Sequence, residues 1–183
     1  MKKIKSLFKR DYGSGARLVY NEVVEGSEWV INGEGVPTRK FDGTCCAIIN
    51  GEIYKRYDAK NGKPIPEGAI PCQEPDPITG HQPCWLKCQE GNPSDQYFWE
   101  GFNNLEDKKD GTYELCGEKV QGNPEHIEGH KLIRHGVEVL ENVPRDFEGI
   151  KEYLKDKDIE GIVWHRANGD MVKIKKKDFW GKR

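Results

Sequence analysis

Residues 32–51 read NGEGVPTRKFDGTCCAIING, in which two β-prone segments meet at an Asp-Gly pair. If Val36–Asp42 is an extended strand, Thr38, Lys40 and Asp42 lie on one face of it. The glycine that follows allows the chain to turn without a clash from a Cβ atom. The stretch therefore predicts an amine and a carboxylate on the same side at the end of a strand.

Lys40 is a candidate nucleophile, because an amine can attack covalently once its pKa has been lowered. The motif alone does not decide this role. A surface lysine before an Asp-Gly turn is common in proteins of every class. The interpretation depends on the rest of the chain.

The 183 residues suffice for one domain, which we predict over residues 1–183. Only 35% of them are hydrophobic and 33% are charged, so we expect a small core and a highly charged surface. The net charge of −2 excludes a generally basic coat protein for nucleic acid. Any nucleic-acid surface must be local, and basic patches occur near both ends: Lys2, Lys3, Lys5, Lys9 and Arg10, and Lys173, Lys175, Lys176 and Lys177.

The sequence does not show the patterns of a signal peptide or a membrane span. Met1–Arg10 is basic but lacks the apolar core of a signal peptide, and no run approaches the ~20 apolar residues of a membrane span. We therefore interpret the six cysteines as reduced thiols. We expect a cytoplasmic monomer that does not bind membranes.

Local patterns predict a mixture of strands and helices. Asn50-Gly51 is typical of a type I′ turn, which would join strands Thr44–Ile49 and Glu52–Tyr57. The segment from about residue 61 to 93 holds seven of the ten prolines and is predicted to be an irregular insertion rich in Pro and Cys. Further strands are predicted over Thr112–Val120 and Lys131–Glu141, and helices over Ser94–Asp107, with Ser94 as N-cap, and Asp146–Lys155.

The strongest hairpin signal is Asn168-Gly169, which would join Ile159–Arg166 to Asp170–Lys177. With these two residues as the loop, Trp164 opposes Lys173, and opposed residues project from the same side of the pair. This register predicts two faces: Glu160, Trp164, Lys173 and Lys175 on one, and Val163, Val172 and Ile174 on the apolar core side.

We interpret the charged face of this hairpin as a phosphate-binding surface. Glu160 would hold Mg²⁺, which takes one or two carboxylates together with phosphate oxygens. The alternative is a solvated edge, since lysines often protect the edges of sheets. A third element, the strand Thr112–Val120, places Glu114, Cys116 and Glu118 on one face, where the carboxylates could accept ribose hydroxyls or hold a metal, or could simply face solvent.

Three motifs occur in order along the chain: Lys40-Phe41-Asp42-Gly43, then Glu114 followed by Gly117-Glu118, then Glu160-Gly161-Ile162-Val163 followed by Lys173-Ile174-Lys175. The combination resembles the covalent nucleotidyltransferase superfamily, which contains ATP-dependent ligases and mRNA capping enzymes. Three longer stretches resemble the small 5′–3′ RNA ligases of this superfamily: Thr38–Thr44, Asp76–His81 and Gln121–Glu125. This likeness extends from about Gly33 to Phe179.

The resemblance implies an α+β fold, an antiparallel two-sheet nucleotidyltransferase domain with AMP between its sheets and no room after Arg183 for an OB-fold. It implies ATP, Mg²⁺ or Mn²⁺, and RNA with a 5′-phosphate and a 3′-hydroxyl. The implied catalytic residues are Lys40, Asp42, Glu160, Lys173 and Lys175. The implied nucleotide contacts are Thr38, Arg39, Lys40, Arg56, Glu114, Glu118, Trp164, Lys173 and Lys175, and the implied metal ligands are Glu160, Glu114 and Glu118.

The implied reaction begins when Lys40 attacks the α-phosphorus of ATP, after which AMP passes to an RNA 5′-phosphate and a 3′-hydroxyl displaces it. We expect Lys173, Lys175 and partial burial to favour the neutral amine of Lys40. Two assignments stay open. The arginine that many DNA ligases carry just after Asp-Gly is missing, which leaves Arg56 and Lys55 as alternatives, and Glu114 and Glu118 both compete for the ribose.

Other functions are compatible with parts of this pattern. A GTP-using capping enzyme shares the lysine chemistry, and a binding module would hold nucleotide or RNA without any covalent adduct. A zinc site is a separate hypothesis, because its ligand types recur within the irregular insertion: Cys72, His81, Cys84 and Cys88.

Overall fold

The computed structural model describes residues 3–13 and 15–183, so Lys2 of the N-terminal basic patch lies outside the described residues. The chain has an α+β fold that divides into two compact units. Unit 1 contains Lys3 and Asp42–His135, and unit 2 contains Ile4–Phe41 and Gly136–Arg183. The single nucleotidyltransferase domain over residues 1–183 stays a prediction.

The described residues form strands, four short α-helices and one 3₁₀ turn, Pro93–Asp95. The strands are β1 (Lys5–Ser6), β2 (Phe8–Arg10), β3 (Val19–Val23), β4 (Val36–Lys40), β5 (Thr44–Ile49), β6 (Glu52–Ala59), β7 (Ile70–Pro71), β8 (Gln82–Lys87), β9 (Gly111–Gly117), β10 (His130–Arg134), β11 (Gly161–His165) and β12 (Met171–Lys175). The helices are α1 (Glu28–Ile31), α2 (Gln96–Asn104), α3 (Phe147–Lys155) and α4 (Lys176–Trp180). None of the helices in this part of the chain is long and apolar enough to span a membrane.

Unit 1 is built on a six-stranded antiparallel sheet in the order β10-β9-β5-β6-β8-β7. The turn between β5 and β6 is the predicted one, since Asn50 and Gly51 both have positive φ and Ile49 opposes Glu52. One face of the sheet packs with α2 around a core that contains Cys46, Ile48, Ile53, Phe98, Tyr113, Leu115 and Leu132.

Several predicted boundaries in unit 1 are wrong. The helix begins later than predicted, and the side chain of Asn92, not Ser94, caps the 3₁₀ turn before it by accepting from Ser94 N. The segment 61–93 contains β7 and β8, which were missed because Pro83 interrupts the β-prone pattern. The carbonyl oxygen of Pro83 still accepts a hydrogen bond from Cys72 N at 2.8 Å.

The strand predicted over Lys131–Glu141 ends at Arg134. Gly136 has a φ of 82°, a left-handed conformation that turns the chain away from β9. Val137 and Val139 beyond it are more than half exposed, so their apolar character does not mark a core strand. The strand predicted over Thr112–Val120 likewise ends early, at Gly117.

Unit 2 contains a four-stranded sheet in the order β1-β12-β11-β4, in which only β1 and β12 are parallel, and the two-stranded sheet β2-β3. The predicted helix after Asp146 is confirmed, and the Asp146 side chain caps it by accepting from Gly149 N at 3.0 Å. Helices and sheet enclose a core that contains Leu7, Phe8, Trp29, Ile150, Leu154, Ile162, Trp164, Val172, Ile174 and Phe179.

The predicted C-terminal hairpin forms, but its register is shifted by one residue. Val163, not Trp164, opposes Lys173. The loop spans three residues, and only Gly169 has a positive φ, whereas a type I′ turn needs positive φ at Asn168 as well. Trp164 consequently lies on the core face and is fully buried.

Candidate active site

Four charged side chains of unit 2 form what we call the lysine face: Lys40, Glu160, Lys173 and Lys175. The central strand β11 carries β4 on one side and β12 on the other. Lys40 and Lys175 both oppose Gly161, while Lys173 opposes Val163. Because opposed residues project from the same side of a sheet, the three amines share one face.

Gly161 lies in the row between Lys40 and Lys175, and only glycine fits there. A Cβ atom at this position would lie 2.1 Å from the carbonyl oxygen of Ile174. The missing side chain also leaves the space between the two lysines open. The close approach of β11 to β12 thus explains the glycine that follows Glu160.

Lys40 forms an ion pair with Glu160, with 2.9 Å between Nζ and Oε2. The side chains are 20% and 17% exposed, so both can be reached from solvent. Glu160 precedes β11, and its own carbonyl oxygen accepts from Lys176 N at 2.8 Å. This backbone contact joins the residue before β11 to the residue after β12.

The pKa of Lys173 shows that the cations on this face lie close to one another. Burial and the charges of Lys40 and Lys175 together lower its pKa to about 8, while Asp178 and Glu160 act in the opposite direction. The charges of Lys40 and Lys175 therefore act directly on Lys173. The lysine face favours an anion that would relieve this repulsion.

Asp178 supports the lysine face and was not predicted. Its side chain is only 2% exposed and accepts hydrogen bonds from Arg10 Nη2 at 2.6 Å and from Lys175 N at 2.8 Å. It thereby fixes the end of β12 where α4 begins. The available signal was an acidic residue three positions after Lys175, at the start of a helix.

A second group of polar side chains lies in unit 1, on the sheet face opposite the core. Cys45 on β5 opposes Glu114 on β9, and the guanidinium of Arg56 on β6 interacts with Cys45. Arg56 in turn opposes Trp85 and lies 5.5 Å from the centre of its ring. Neighbouring strands thus bring a carboxylate, a thiol and a guanidinium into one row.

Glu114 is held by two contacts. Its Oε1 lies 2.9 Å from Nε2 of His135, and its Oε2 accepts from Gly43 N at 3.2 Å. The Nδ1 atom of His135 lies 2.9 Å from the hydroxyl oxygen of Thr112. His135 was not predicted as a site residue, because the expected strand ran through it.

Cys45 and Cys46, the two thiols near the start of β5, are poor candidates for nucleophiles at neutral pH. Burial and the charge of Glu114 raise the pKa of Cys45 to about 12, although Arg56 opposes the change. Burial also raises the pKa of Cys46 well above its ordinary value. Lys40 is therefore the better candidate for covalent chemistry.

The remaining predicted residues of β4 have other contacts. Thr38 is buried, and its hydroxyl donates to the carbonyl oxygen of Val163 at 2.9 Å. Arg39 alternates to the opposite face, where its guanidinium stacks on Phe41 and pairs with Glu138 at 3.4 Å. β4 ends at Lys40, so Asp42 lies outside the strand, and its predicted place on the face of Lys40 stays a prediction.

Burial and ion pairing decide which of the other predicted residues lie on the site faces. Trp164 lies in the core of unit 2, so its predicted place beside the lysines is wrong. Glu118 follows the end of β9 in an exposed turn, which leaves Glu114 as the carboxylate on the sheet face. Lys55 is paired with buried Asp95 on the core side, so Arg56 is the cation that shares the face of Glu114.

The four residues of the zinc hypothesis do not converge. Cys88 lies in the core of unit 1, whereas His81 pairs with Asp58 at 3.4 Å. Cys72 follows β7 and donates its backbone N–H to Pro83, the residue before Cys84 on β8. The part of the chain that the structure describes contains only one group of three or more potential ligands, and it is elsewhere: Cys45, Glu114 and His135.

Comparison with known proteins identifies one family. The family model described as RNA ligase 1 matches residues 54–181. RNA ligase 1 of Pongo abelii is 26% identical, over 76% of this chain and 65% of that protein, and the Mus musculus protein gives the same values. RNA ligase 1 of Danio rerio is 30% identical, over 65% of this chain and 44% of that protein.

The chain thus spans just under two thirds of the length of the first of these relatives. Among solved structures, a Naegleria gruberi RNA ligase mutant with ATP and Mn is 14% identical, with a TM-score of 0.42, and the match covers 96% of this chain and 60% of that chain. Because the family model matches more than half of its residues, this chain belongs to the RNA ligase 1 family.

Proposed function

We propose that this protein is an ATP-dependent 5′–3′ RNA ligase with a nucleotidyltransferase domain that forms a covalent lysyl-AMP on Lys40. The observation that carries the proposal is the lysine face, where Lys40 is ion-paired with Glu160 and electrostatically coupled to Lys173. Membership of the RNA ligase 1 family supports RNA as the substrate. A solvated sheet edge would not require the partly buried, mutually repelling amines of this face.

In the first step, Nζ of Lys40 forms a bond to the α-phosphorus of ATP while the bond to the bridging oxygen breaks and pyrophosphate leaves. The amine must first separate from Glu160 and lose a proton to solvent. Lys173 and Lys175 are placed to stabilise the negative charge that develops on the α-phosphate oxygens. Both cations come from one strand, so their spacing is fixed before the nucleotide binds.

The acidic member of the lysine face fits a divalent cation of the magnesium class. Glu160 offers the carboxylate oxygens that such an ion prefers, and its side chain is accessible at 17% exposure. When bound, the ion would supply neutralisation of phosphate charge. Glu160 would then no longer be available to the Lys40 ammonium.

Two transfers complete the reaction. An oxygen of the RNA 5′-phosphate attacks the phosphorus of lysyl-AMP, the nitrogen–phosphorus bond breaks, and the amine of Lys40 takes up a proton. A 3′-hydroxyl then attacks the RNA 5′-phosphorus, loses its proton and displaces AMP. The lysine face serves each step in the same way, by balancing the charge of the phosphates.

The test is a covalent labelling assay. The protein is incubated with radiolabelled ATP or GTP and Mg²⁺, and the label on the denatured protein is measured. We expect labelling from ATP that is lost in Lys40→Ala and retained in Lys87→Ala. Lys87 is a matched control, because its ion pair with Glu52 has the same 2.9 Å distance but is half exposed at the surface.

Each other outcome points to a different function. Labelling from GTP alone would indicate a capping-type enzyme, and nucleotide binding without an adduct would indicate a binding module. Labelling that survives Lys40→Ala would move the nucleophile elsewhere. An adduct that cannot be converted into joined 5′-phosphorylated RNA would contradict the ligase assignment.

A further inference from the structure

We propose that Cys45, Glu114 and His135 bind one zinc ion through a sulfur, an oxygen and a nitrogen ligand. The three donor atoms all lie within 4.8 Å of one another, and no other group of three such ligands occurs in residues 3–13 and 15–183. The ligands come from β5, from β9 and from the residue that follows β10. The sheet therefore brings together residues that lie far apart in sequence.

The spacing of the donors suits a tetrahedral ion after a small adjustment. Zinc binds sulfur at about 2.3 Å and nitrogen or oxygen at about 2.0–2.2 Å, which places its ligands roughly 3.3–3.6 Å apart. Nε2 of His135 and Oε1 of Glu114 are already 2.9 Å apart. The Cys45 sulfur lies within 4.8 Å of both atoms, so a change in its side-chain torsion would bring it into the triangle, and three protein ligands leave one position for water.

Neighbouring groups are arranged to support a metal ligand set. Thr112 holds Nδ1 of His135, and its hydroxyl can accept from Nδ1–H when Nε2 binds a metal, or donate to Nδ1 when Nε2–H faces Glu114. Gly43 N holds the second oxygen of Glu114. Such outer contacts orient ligands and increase metal affinity.

Charge selects the kind of ion. A thiolate and a carboxylate together balance a divalent cation, whereas Arg56 beside Cys45 opposes it. The ion must also displace the thiol proton, whose pKa burial and Glu114 raise to about 12. A soft sulfur ligand is favourable for Zn²⁺ or Co²⁺ but not for Mg²⁺, which prefers oxygen.

The test uses Co²⁺ as a coloured probe for zinc with the full chain and without nucleotide. We expect one Co²⁺ per chain with the near-ultraviolet absorption of a cobalt–thiolate bond, and displacement of the colour by Zn²⁺. Cys45→Ser should abolish the absorption, and His135→Gln should weaken binding at least about tenfold. Thr112→Val should also weaken binding about tenfold, because it removes the partner of Nδ1.

The matched control is the double variant Cys72→Ser, His81→Ala, which removes a thiol and an imidazole outside the cluster and should bind Co²⁺ like the parent. Thermal unfolding with and without Zn²⁺ separates lost binding from lost folding, since a folded variant that no longer binds keeps its cooperative transition but shows no metal-dependent rise in Tm. No thiolate absorption in the parent protein, or absorption that persists in Cys45→Ser, would overturn the site. Because no nucleotide is used, this outcome is independent of the proposed ligase activity.

Discussion

The Lys173 side chain lies in surroundings that disfavour its charge. Its pKa is about 8 in the folded protein, against an ordinary value of 10.5. At pH 7 both the folded and the unfolded chain hold the proton, so the folded state carries an unfavourable charge. Between about pH 8 and pH 10.5 the unfolded chain binds more protons, and the contribution of Lys173 to the free energy of unfolding rises with pH.

Lys173→Met should therefore stabilise the protein at pH 7 and inactivate it. We expect the free energy of unfolding to rise by on the order of 1 kcal/mol at pH 7, with the gain lost once the pH has risen above about 10.5. Labelling with ATP should fall at least about 100-fold, because a cation at the phosphate is lost. Urea unfolding at the two pH values and the labelling assay measure both effects.

The exposed Lys177 provides the comparison for this variant. Lys177→Met should change the free energy of unfolding by less than about 0.5 kcal/mol at either pH. A Lys173→Met protein that is less stable than the parent at pH 7 would show that Lys173 is held by favourable contacts instead of crowded by other cations.

The sequence was most informative for residues whose chemistry is tied to a local motif. Lys40, Glu160, Lys173 and Lys175 were all predicted, and the structure places them on one face. His135 and Asp178 were not predicted because their roles depend on partners that are distant in sequence. His135 meets Glu114 only after β9 and β10 have paired, and Asp178 meets Arg10 only after the chain ends come together.

At the scale of elements, the close pairing of β11 with β12 sets the geometry of the lysine face. Gly161 allows this approach, and a Cβ atom there would lie 2.1 Å from a backbone oxygen that cannot move aside easily. Gly161→Ala should therefore lower the free energy of unfolding by about 2–4 kcal/mol. The labelling assay should show a larger loss than the stability change explains, because displacement of β11 separates Lys40 from Lys175.

Gly15→Ala is the control, since a Cβ atom at Gly15 meets nothing within 4 Å. Its stability and labelling should match those of the parent. Unfolding curves that coincide for both alanine variants would mean that the strand pairing tolerates a side chain at Gly161.

The hairpin shows why the presence of an element was easier to predict than its register. Apolar alternation and Asn168-Gly169 located both strands of the ribbon. The loop then closed with three residues and only one positive φ, which moved every side chain of β11 by one place relative to β12. Trp164 and Val163 exchanged faces, while the lysines of β12 kept theirs.

At the scale of the whole molecule, strand order was beyond reach from sequence. The hairpin β5-β6 is local and was predicted, but β9 joins β5 from more than sixty residues away and β1 pairs with β12 from the other end of the chain. Such non-local pairings depend on the total burial of both faces, not on a turn signal. β7 and β8 were missed for a local reason, because prolines within residues 61–93 interrupt the β-prone pattern.

Because the net charge of the protein is −2, the salt dependence of RNA binding can show where RNA binds. A protein with no general positive field can hold RNA only where cations are concentrated, so its affinity should depend weakly on salt. With two or three phosphates neutralised by the lysine face, the slope of log K against log salt should be about −1.4 to −2.1, at about −0.7 per phosphate of a single strand. Fluorescence anisotropy with a 5′-phosphorylated RNA oligonucleotide between low and moderate salt measures this slope.

Removing one cation from the lysine face should flatten that dependence by a defined amount. Lys175→Gln is expected to reduce the magnitude of the slope by about 0.7, because one fewer counterion is released. Lys87→Gln changes the net charge of the protein equally but lies in unit 1 in an exposed ion pair, so its slope should equal that of the parent. Equal slopes for Lys175→Gln and the parent would place the RNA phosphates away from the lysine face, even if Lys40 still accepts AMP.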